Sequence, residues 1–463
     1  MAVTQENLEE NLKQLAEEYL VPGASAAVLC DGQVTAAATG VLGVRTNVTA
    51  TTDSLFQIGS ITKTFTATAL MRLVDRGKVD LDTKVADLLP DLRPQGDGAE
   101  TLTLRHLLSH TSGLPGDNML DLGHGEDVLE RYAAACSGQT LVHPAGATWS
   151  YCNAGYLLLG RIIELLTGST WDDAMRELLF DPLELSRTVT LPEDALLHRT
   201  AIGHLMPQDG PASSVADARP VTRWALPRTL GPAGTVCTTP TELLTLVQLH
   251  LAGGVTSSGL RILSEDSVVA MRTPQTQLPS RWGMATHWGL GLSLSNVDGA
   301  MVCGHTGNAM GQSAFLQFVP EHGVAIALLA NGGSAQRMYR ALAGPLLQEL
   351  AGIQPAAPLT PPSPPLAADL GPHLGVYQNI GMRIEVQQDD AGNAVLDSRT
   401  IGSLAEVAQQ PPQQLPLIAV KPDEGLYLVH QPLFDDYMTV YFYQLATGEK
   451  YLHMGLRALP KVA

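Results

Sequence analysis

Leu8, Leu12, Leu15 and Tyr19 recur at helical spacing, so the chain is expected to open with an amphipathic helix that ends at Pro22-Gly23. Two apolar stretches follow, 24–30 and 33–39, on either side of Asp31-Gly32, a short-range signal for a two-residue hairpin. A helix is predicted from Ser60 to about Asp75. From 79 to about 350 the pattern reads mostly as helices and loops, with helical stretches at 104–109, 156–166 and 241–251. Strands return at 313–319 and 324–329 around the turn Pro320-Glu321-His322-Gly323, and a helix over 337–350 follows. Strands at both ends and a helical middle predict an α+β fold. One antiparallel sheet would be assembled from both ends, with an all-α region inserted; the strand–helix alternation of an α/β fold is missing.

Residues 354–366 carry six prolines and read as a stiff, extended linker. Beyond them strand signals dominate: 382–387, 415–420, 426–430, 438–444 and 451–456. Short strands in this number fit a small C-terminal β-barrel. The expected organisation is therefore a domain over 1–353, a linker over 354–366 and a β domain over 367–463.

The 463 residues are 45% hydrophobic and 16% charged, enough for a large core and too apolar for disorder. A net charge of −18 argues against nucleic acid or an anionic membrane as partner. Five cysteines without a Cys-x-x-Cys pair suggest neither a disulfide framework nor a metal site, and no cofactor is expected. The first twenty residues are acidic, without a basic start or an apolar core, and no apolar run approaches spanning length. A reducing cytoplasm is the expected compartment.

Chemistry concentrates in three places. Ser60-Ile61-Thr62-Lys63 opens the second helix, where residues three apart share a face, so hydroxyl and amine can meet. Lys63 is the only formal charge from 56 to 70, and a desolvated lysine loses basicity toward the range where it serves as a base for the serine. Taken alone, a serine before a helix is an ordinary N-cap. Tyr151-Cys152-Asn153 lies at a loop-to-helix junction; Tyr151 and Asn153 can face one cavity, and a tyrosine beside a lysine ammonium gives up its proton more easily. His305-Thr306-Gly307-Asn308 reads as an edge strand or a hairpin turn. There the backbone N–H after Gly307 can complete an oxyanion hole with that of Ser60, and His305 can move protons near neutral pH.

In this order, Ser-x-x-Lys, Tyr-x-Asn and His-Thr-Gly resemble the penicillin-binding-protein and class C β-lactamase superfamily of serine acyl-enzymes. The stretches Leu107-Leu108-Ser109-His110-Thr111-Ser112-Gly113-Leu114, 81–90 and 231–243 are similar to it as well. The resemblance spans about Leu8 to Leu350 and implies a β-lactamase/transpeptidase-like domain. It implies Ser60 as nucleophile, Lys63 as its base and Tyr151 as proton relay. Asn153 would position a substrate amide, with Thr306, Gly307 and Asn308 along the strand edge. His305 stands where β-lactamases of the superfamily carry a lysine that pairs with the drug's carboxylate. The chain is therefore more similar to its D-peptidases, amidases and esterases.

With a C-terminal β domain, the architecture is most similar to stand-alone penicillin-binding-protein-type thioesterases with a lipocalin-like tail. That likeness implies offloading and head-to-tail macrocyclisation of a nonribosomal peptide with a D-residue at the acyl site, the peptidyl thioester being free or carrier-protein-bound. The alternatives are a cytoplasmic D-stereospecific peptidase, amidase or carboxylesterase, and behind these a β-lactamase or a non-catalytic binding relative. Arg457 is singled out in the β domain as a binder of a substrate carboxylate or carbonyl, against the plainer reading of a solvated strand arginine. Trp224, Trp282 and Trp288 are either pocket walls or core.

Overall fold

The computed structural model describes residues 3–207, 214–280, 282, 285–390, 392–408, 411–431 and 436–462. Thr4 caps the first helix, Gln5–Glu18, its hydroxyl accepting the Asn7 N–H, and Leu8, Leu12 and Leu15 turn inward. Asp31 (φ 51°) and Gly32 (φ 75°) form the hairpin between Gly23–Cys30 and Gln33–Gly40 with both central residues left-handed, as a two-residue turn matched to strand twist requires.

These strands join an eight-stranded antiparallel sheet. Its order is Gln33–Gly40, Gly23–Cys30, Val324–Ala330, Gln312–Val319, Ala300–Ala309, Ser293–Val297, His287–Trp288 and Thr276–Gln277. Val28 opposite Ile326 marks where the two ends of the domain meet. Val324–Ala330 is buried at every position because both faces are covered. Ile326 and Leu328 pack on the helices Gln5–Glu18 and Ala335–Ala351, whereas Ala325, Ala327 and Leu329 face the helical region of Thr62–Asp75, Asn153–Thr167 and Pro240–Leu251. This is the expected α+β arrangement.

The sequence pattern understates one strand. The apolar signal stops near Cys303, yet Ala300–Ala309 runs unbroken through His305-Thr306-Gly307-Asn308, paired to Gln312–Val319 over its second half. The turn falls at Met310-Gly311 instead. Ser293–Val297 pairs only with residues 300–304, so from His305 onward the other edge of the strand is open.

No helix or strand occurs in 354–366. Beyond it the expected closed barrel is not found among the described residues. Gly375–Gln378, Met382–Gln388, Ala394–Thr400 and Gln413–Pro416 form one antiparallel sheet. Ile418–Lys421, Leu426–Gln431, Asp436–Gln444, Lys450–Met454 and Arg457–Pro460 form another. They share a core that includes Ile384, Leu396, Val429, Val440 and Leu452, and meet along their edges at the Tyr377–Lys461 bridge. The single strand expected over 415–420 breaks at Leu417, directly after Pro416, where the chain passes from the first sheet to the second.

Candidate active site

Ser60 sits in the 3-10 turn Gly59–Ile61 that leads into the Thr62–Asp75 helix. The open edge of Ala300–Ala309 runs against this turn, and glycine makes the approach possible on both sides. A Cβ on Gly307 would lie 1.9 Å from the Ile58 carbonyl oxygen, and one on Gly59 (φ 50°) 2.4 Å from that of Asn308. Ser60 is partly exposed at this seam, its N–H beside Gly307 and the Asn308 N–H beside Gly59. Two backbone N–H groups thus meet at this seam, the pair of donors that an oxyanion hole needs.

Lys63 is fully buried, with its Nζ 3.1 Å from Ser60 Oγ, and it donates to the Ala233 carbonyl at 2.7 Å. Ala233 belongs to Gly231–Gly234, held against the same helix where Thr66 Oγ1 donates to the Pro232 carbonyl at 2.8 Å. Burial, and next the charge of Arg457, push the Lys63 amine well below the usual lysine range, outweighing the opposite pull of Cys152 and Asp117. A neutral amine keeps a lone pair for the Ser60 proton while still donating to Ala233.

The Tyr151 ring lies 4.8 Å from Lys63 Nζ. The expected lowering of its pKa does not occur. Burial pushes the phenol up, and neither the nearby Ser60 hydroxyl nor the Arg457 charge, both of which pull it down, reverses this. The physical reason is that the loss of water around the phenol outweighs the groups near it that would favour its ionised form. The Tyr151 hydroxyl is buried without a partner of full hydrogen-bond geometry, so it faces Ser60 as a neutral phenol able to donate and accept.

His305 is also corrected. Its Nδ1–H donates to the Thr306 carbonyl at 2.6 Å, its Nε2 is buried and unpartnered, and burial followed by Lys63 holds it at about 3. An imidazole so placed stays neutral at physiological pH and carries no proton there. It forms a wall instead, 5.3 Å from the Trp288 ring and 6.2 Å from that of Tyr151. Asn153 begins the Asn153–Thr167 helix, its backbone N–H donating to Gly116 O at 3.1 Å while its side-chain amide makes no hydrogen bond among the described residues. Asn308 is exposed and accepts from Ser313 Oγ at 2.9 Å; the Thr306 side chain makes no hydrogen bond among the described residues.

The C-terminal sheets reach this site. Arg457 is no solvated strand arginine: it lies 5.1 Å from the Tyr151 ring and forks onto Asp117, with Nη2 to Oδ1 at 2.6 Å and Nε to Oδ2 at 3.0 Å. Burial works against its charge, but the Asp117 carboxylate more than restores it. The Tyr151 N–H donates to the Leu456 carbonyl at 2.8 Å, and the Ala458 N–H donates to Ser150 Oγ at 3.1 Å.

Sequence reading missed Asp117, Trp149, Leu456 and the part played by His110. Asp117 and Trp149 carry no local signal, because their partners lie 340 and about 139 positions away in the chain. Trp149, Tyr151, Leu278, Ala285 and Trp288 form a buried cluster roofed by Leu456. Trp224 serves elsewhere, donating to the Ala201 carbonyl at 2.9 Å, and Trp282 lies under Lys421 Nζ at 3.8 Å. Among the described residues no metal-ligand cluster occurs and no helix is long and apolar enough to cross a membrane.

The arrangement matches known proteins over most of the chain. The family profile described as Beta-lactamase covers residues 8–348. Penicillin-binding protein 4 of Amycolatopsis lactamdurans is 43% identical over 376 residues, 81% of this chain and 97% of that protein. The crystal structure of SurE superimposes with a TM-score of 0.79 at 31% identity over 99% of both chains, and SurE with D-Leu gives 0.76 at 30%. A D-stereospecific amidohydrolase from Streptomyces sp. has a TM-score of 0.56 at 25% identity, covering 74% of this chain and 99% of that one.

Proposed function

This chain belongs to the beta-lactamase family, and from that premise we propose that it is an acyl-serine enzyme acting on peptides with a D-residue at the acyl site. The observation that carries the reading is the Lys63 amine, buried, its basicity lowered by that burial, and 3.1 Å from Ser60 Oγ.

Lys63 takes the Ser60 proton as Oγ attacks the substrate carbonyl carbon. The oxyanion forms between the Ser60 and Asn308 N–H groups. The leaving group departs with a proton passed through the Tyr151 phenol, leaving a peptidyl ester on Ser60. The Asn153 amide is free to hold the substrate backbone, and Arg457 presents charge on the side of the C-terminal sheets.

Within this chemistry we favour a trans-acting thioesterase that closes the peptide onto its own amine. Two observations support it. The aromatic cluster and Leu456 shield the Tyr151 side of the site from water, which favours an amine over hydrolysis in the second half-reaction. Likeness over 99% of the chain to a protein solved with D-Leu supports a D-residue at the acyl position. The second reading is a D-peptidase, amidase or carboxylesterase, in keeping with the likeness to a D-stereospecific amidohydrolase. A β-lactamase is disfavoured, since neutral His305 offers no charge to a carboxylate. Five free thiols are consistent with a cytoplasmic enzyme, and no nucleic-acid or membrane partner is invoked.

The deciding experiment offers a linear peptidyl thioester ending in a D-residue and follows products by mass. Cyclic peptide is expected. Linear acid alone, from protein whose Ser60 is acylated, would move the assignment to the hydrolase; no acylation of Ser60 would leave a non-catalytic relative.

A further inference from the structure

The segment that carries Tyr151 is extended, so successive N–H groups alternate in direction. The Ser150 N–H donates to the His110 carbonyl at 2.9 Å, and the Cys152 N–H donates to His110 Nδ1 at 3.0 Å. Between them, the Tyr151 N–H points the other way to Leu456 O at 2.8 Å. Tyr151 is thus gripped between two residues, and both hold left-handed backbones that non-glycine residues rarely adopt: φ 58° at His110 and 69° at Leu456. At His110 this conformation lets one residue aim its carbonyl and its ring nitrogen at the same short segment. The ring also lies 4.3 Å from that of Tyr151, tilted by 36°, and is fully buried.

We infer that His110 is the positioning residue of Tyr151, holding the 150–152 backbone so that the phenol faces Ser60 and Lys63. The inference rests on the acyl-serine reading above. Because Nδ1 accepts from Cys152, the ring carries its proton on Nε2, and an imidazolium would present a donor to a donor. The surroundings keep it neutral: burial comes first, and the Arg457 guanidinium works in the same direction; Tyr151 and Tyr156 complete the contact.

The test compares His110→Gly with His110→Asn. Both residues suit a left-handed backbone, so both variants retain the fold, and both keep the carbonyl that binds Ser150. Asparagine places Oδ1 where Nδ1 stood and so restores an acceptor for Cys152; glycine does not. Turnover of a short-chain ester is measured per Ser60 labelled by a fluorophosphonate, beside the melting temperature. His110→Gly is expected to lose on the order of a hundredfold in kcat with KM nearly unchanged, the scale set by misplacing a catalytic group by about 1 Å. His110→Asn is expected to recover most of the rate. A His110→Gly variant as fast as wild type per labelled serine, or a His110→Asn variant as slow as His110→Gly, overturns the inference. Wild-type protein that hydrolyses no ester and takes no label would instead overturn the acyl-serine reading beneath it.

Discussion

Arg457 Nη2 lies 2.6 Å from Asp117 Oδ1, joining a strand of the C-terminal sheets to a loop of the catalytic region beside Lys63 and Tyr151. The carboxylate is essentially buried, with 1% of its side chain exposed against 17% for the arginine. Removing one partner of such a pair strands the other charge in a dry site. Asp117→Asn should therefore destabilise the protein by roughly 3 kcal/mol in denaturant titration. A double variant with Arg457→Met should be closer to wild type than the single. Equal losses in the single and double variants would mean that the pair is not coupled.

The same two residues act on Lys63 with opposite sign. Arg457 lowers the amine's pKa and Asp117 raises it. In the proposed mechanism the base is the neutral Lys63 amine, so the acidic limb of the kcat/KM profile should report that pKa in the free enzyme. Arg457→Gln should move the limb to higher pH and Asp117→Asn to lower pH. Shifts in a common direction would sink the assignment of the limb to Lys63.

Lys63→Met and Ser60→Ala should each abolish ester turnover, by about a thousandfold or more, because the nucleophile and its base act as a unit. Stability should follow a different course. Methionine fills the space of a buried neutral lysine without a polar head to satisfy, so the melting temperature should hold or rise. Lys63→Met with near-wild-type turnover would show that another group is the base.

Gly307→Ala should disable the site from the strand side. The added methyl meets the Ile58 carbonyl at 1.9 Å and stands 2.8 Å from the Ser60 N. Either the strand or the Ser60 turn must move, and the oxyanion donors lose their spacing. We expect kcat to fall on the order of a hundredfold with little change in KM, read as ester hydrolysis by folded protein. Unchanged turnover would argue that the seam is not where the oxyanion forms.

Acid sensitivity should come from histidines away from the reaction. His250 is buried against Phe318 with both ring nitrogens unpartnered, and burial followed by Arg272 holds it at about 4; His143, through burial, lies at about 4 as well. The unfolded chain binds these protons near pH 6.5 and the folded chain does not. Between about pH 4 and 6.5 the unfolded state therefore holds more protons, stability rises with pH, and it is lost as pH falls through that window. His250→Leu should raise the melting temperature more at pH 5 than at pH 8, values chosen inside and above the window. A pH-independent gain would trace the effect to packing alone.

Much of the candidate site was legible in the chain. Ser60 and Lys63 are three apart at a helix start, Tyr151 and Asn153 two apart at another, and Gly307 follows a strand signal; these are local spacings, and the helix and strand periods that translate them into geometry are local too. The end-to-end sheet was also legible, because its hydrophobic runs and turns are short-range features. What the tertiary structure decided is everything that depends on desolvation and distant contact. Tyr151 is not acidic and His305 is not a proton carrier, since burial outweighs the charges that sequence places nearby. Arg457 meets Asp117 across 340 positions, and His110 and Leu456 close on Tyr151 from opposite sides. Spacing along a chain determines which side chains share a face, but the loss of water around them exists only once the whole chain has folded.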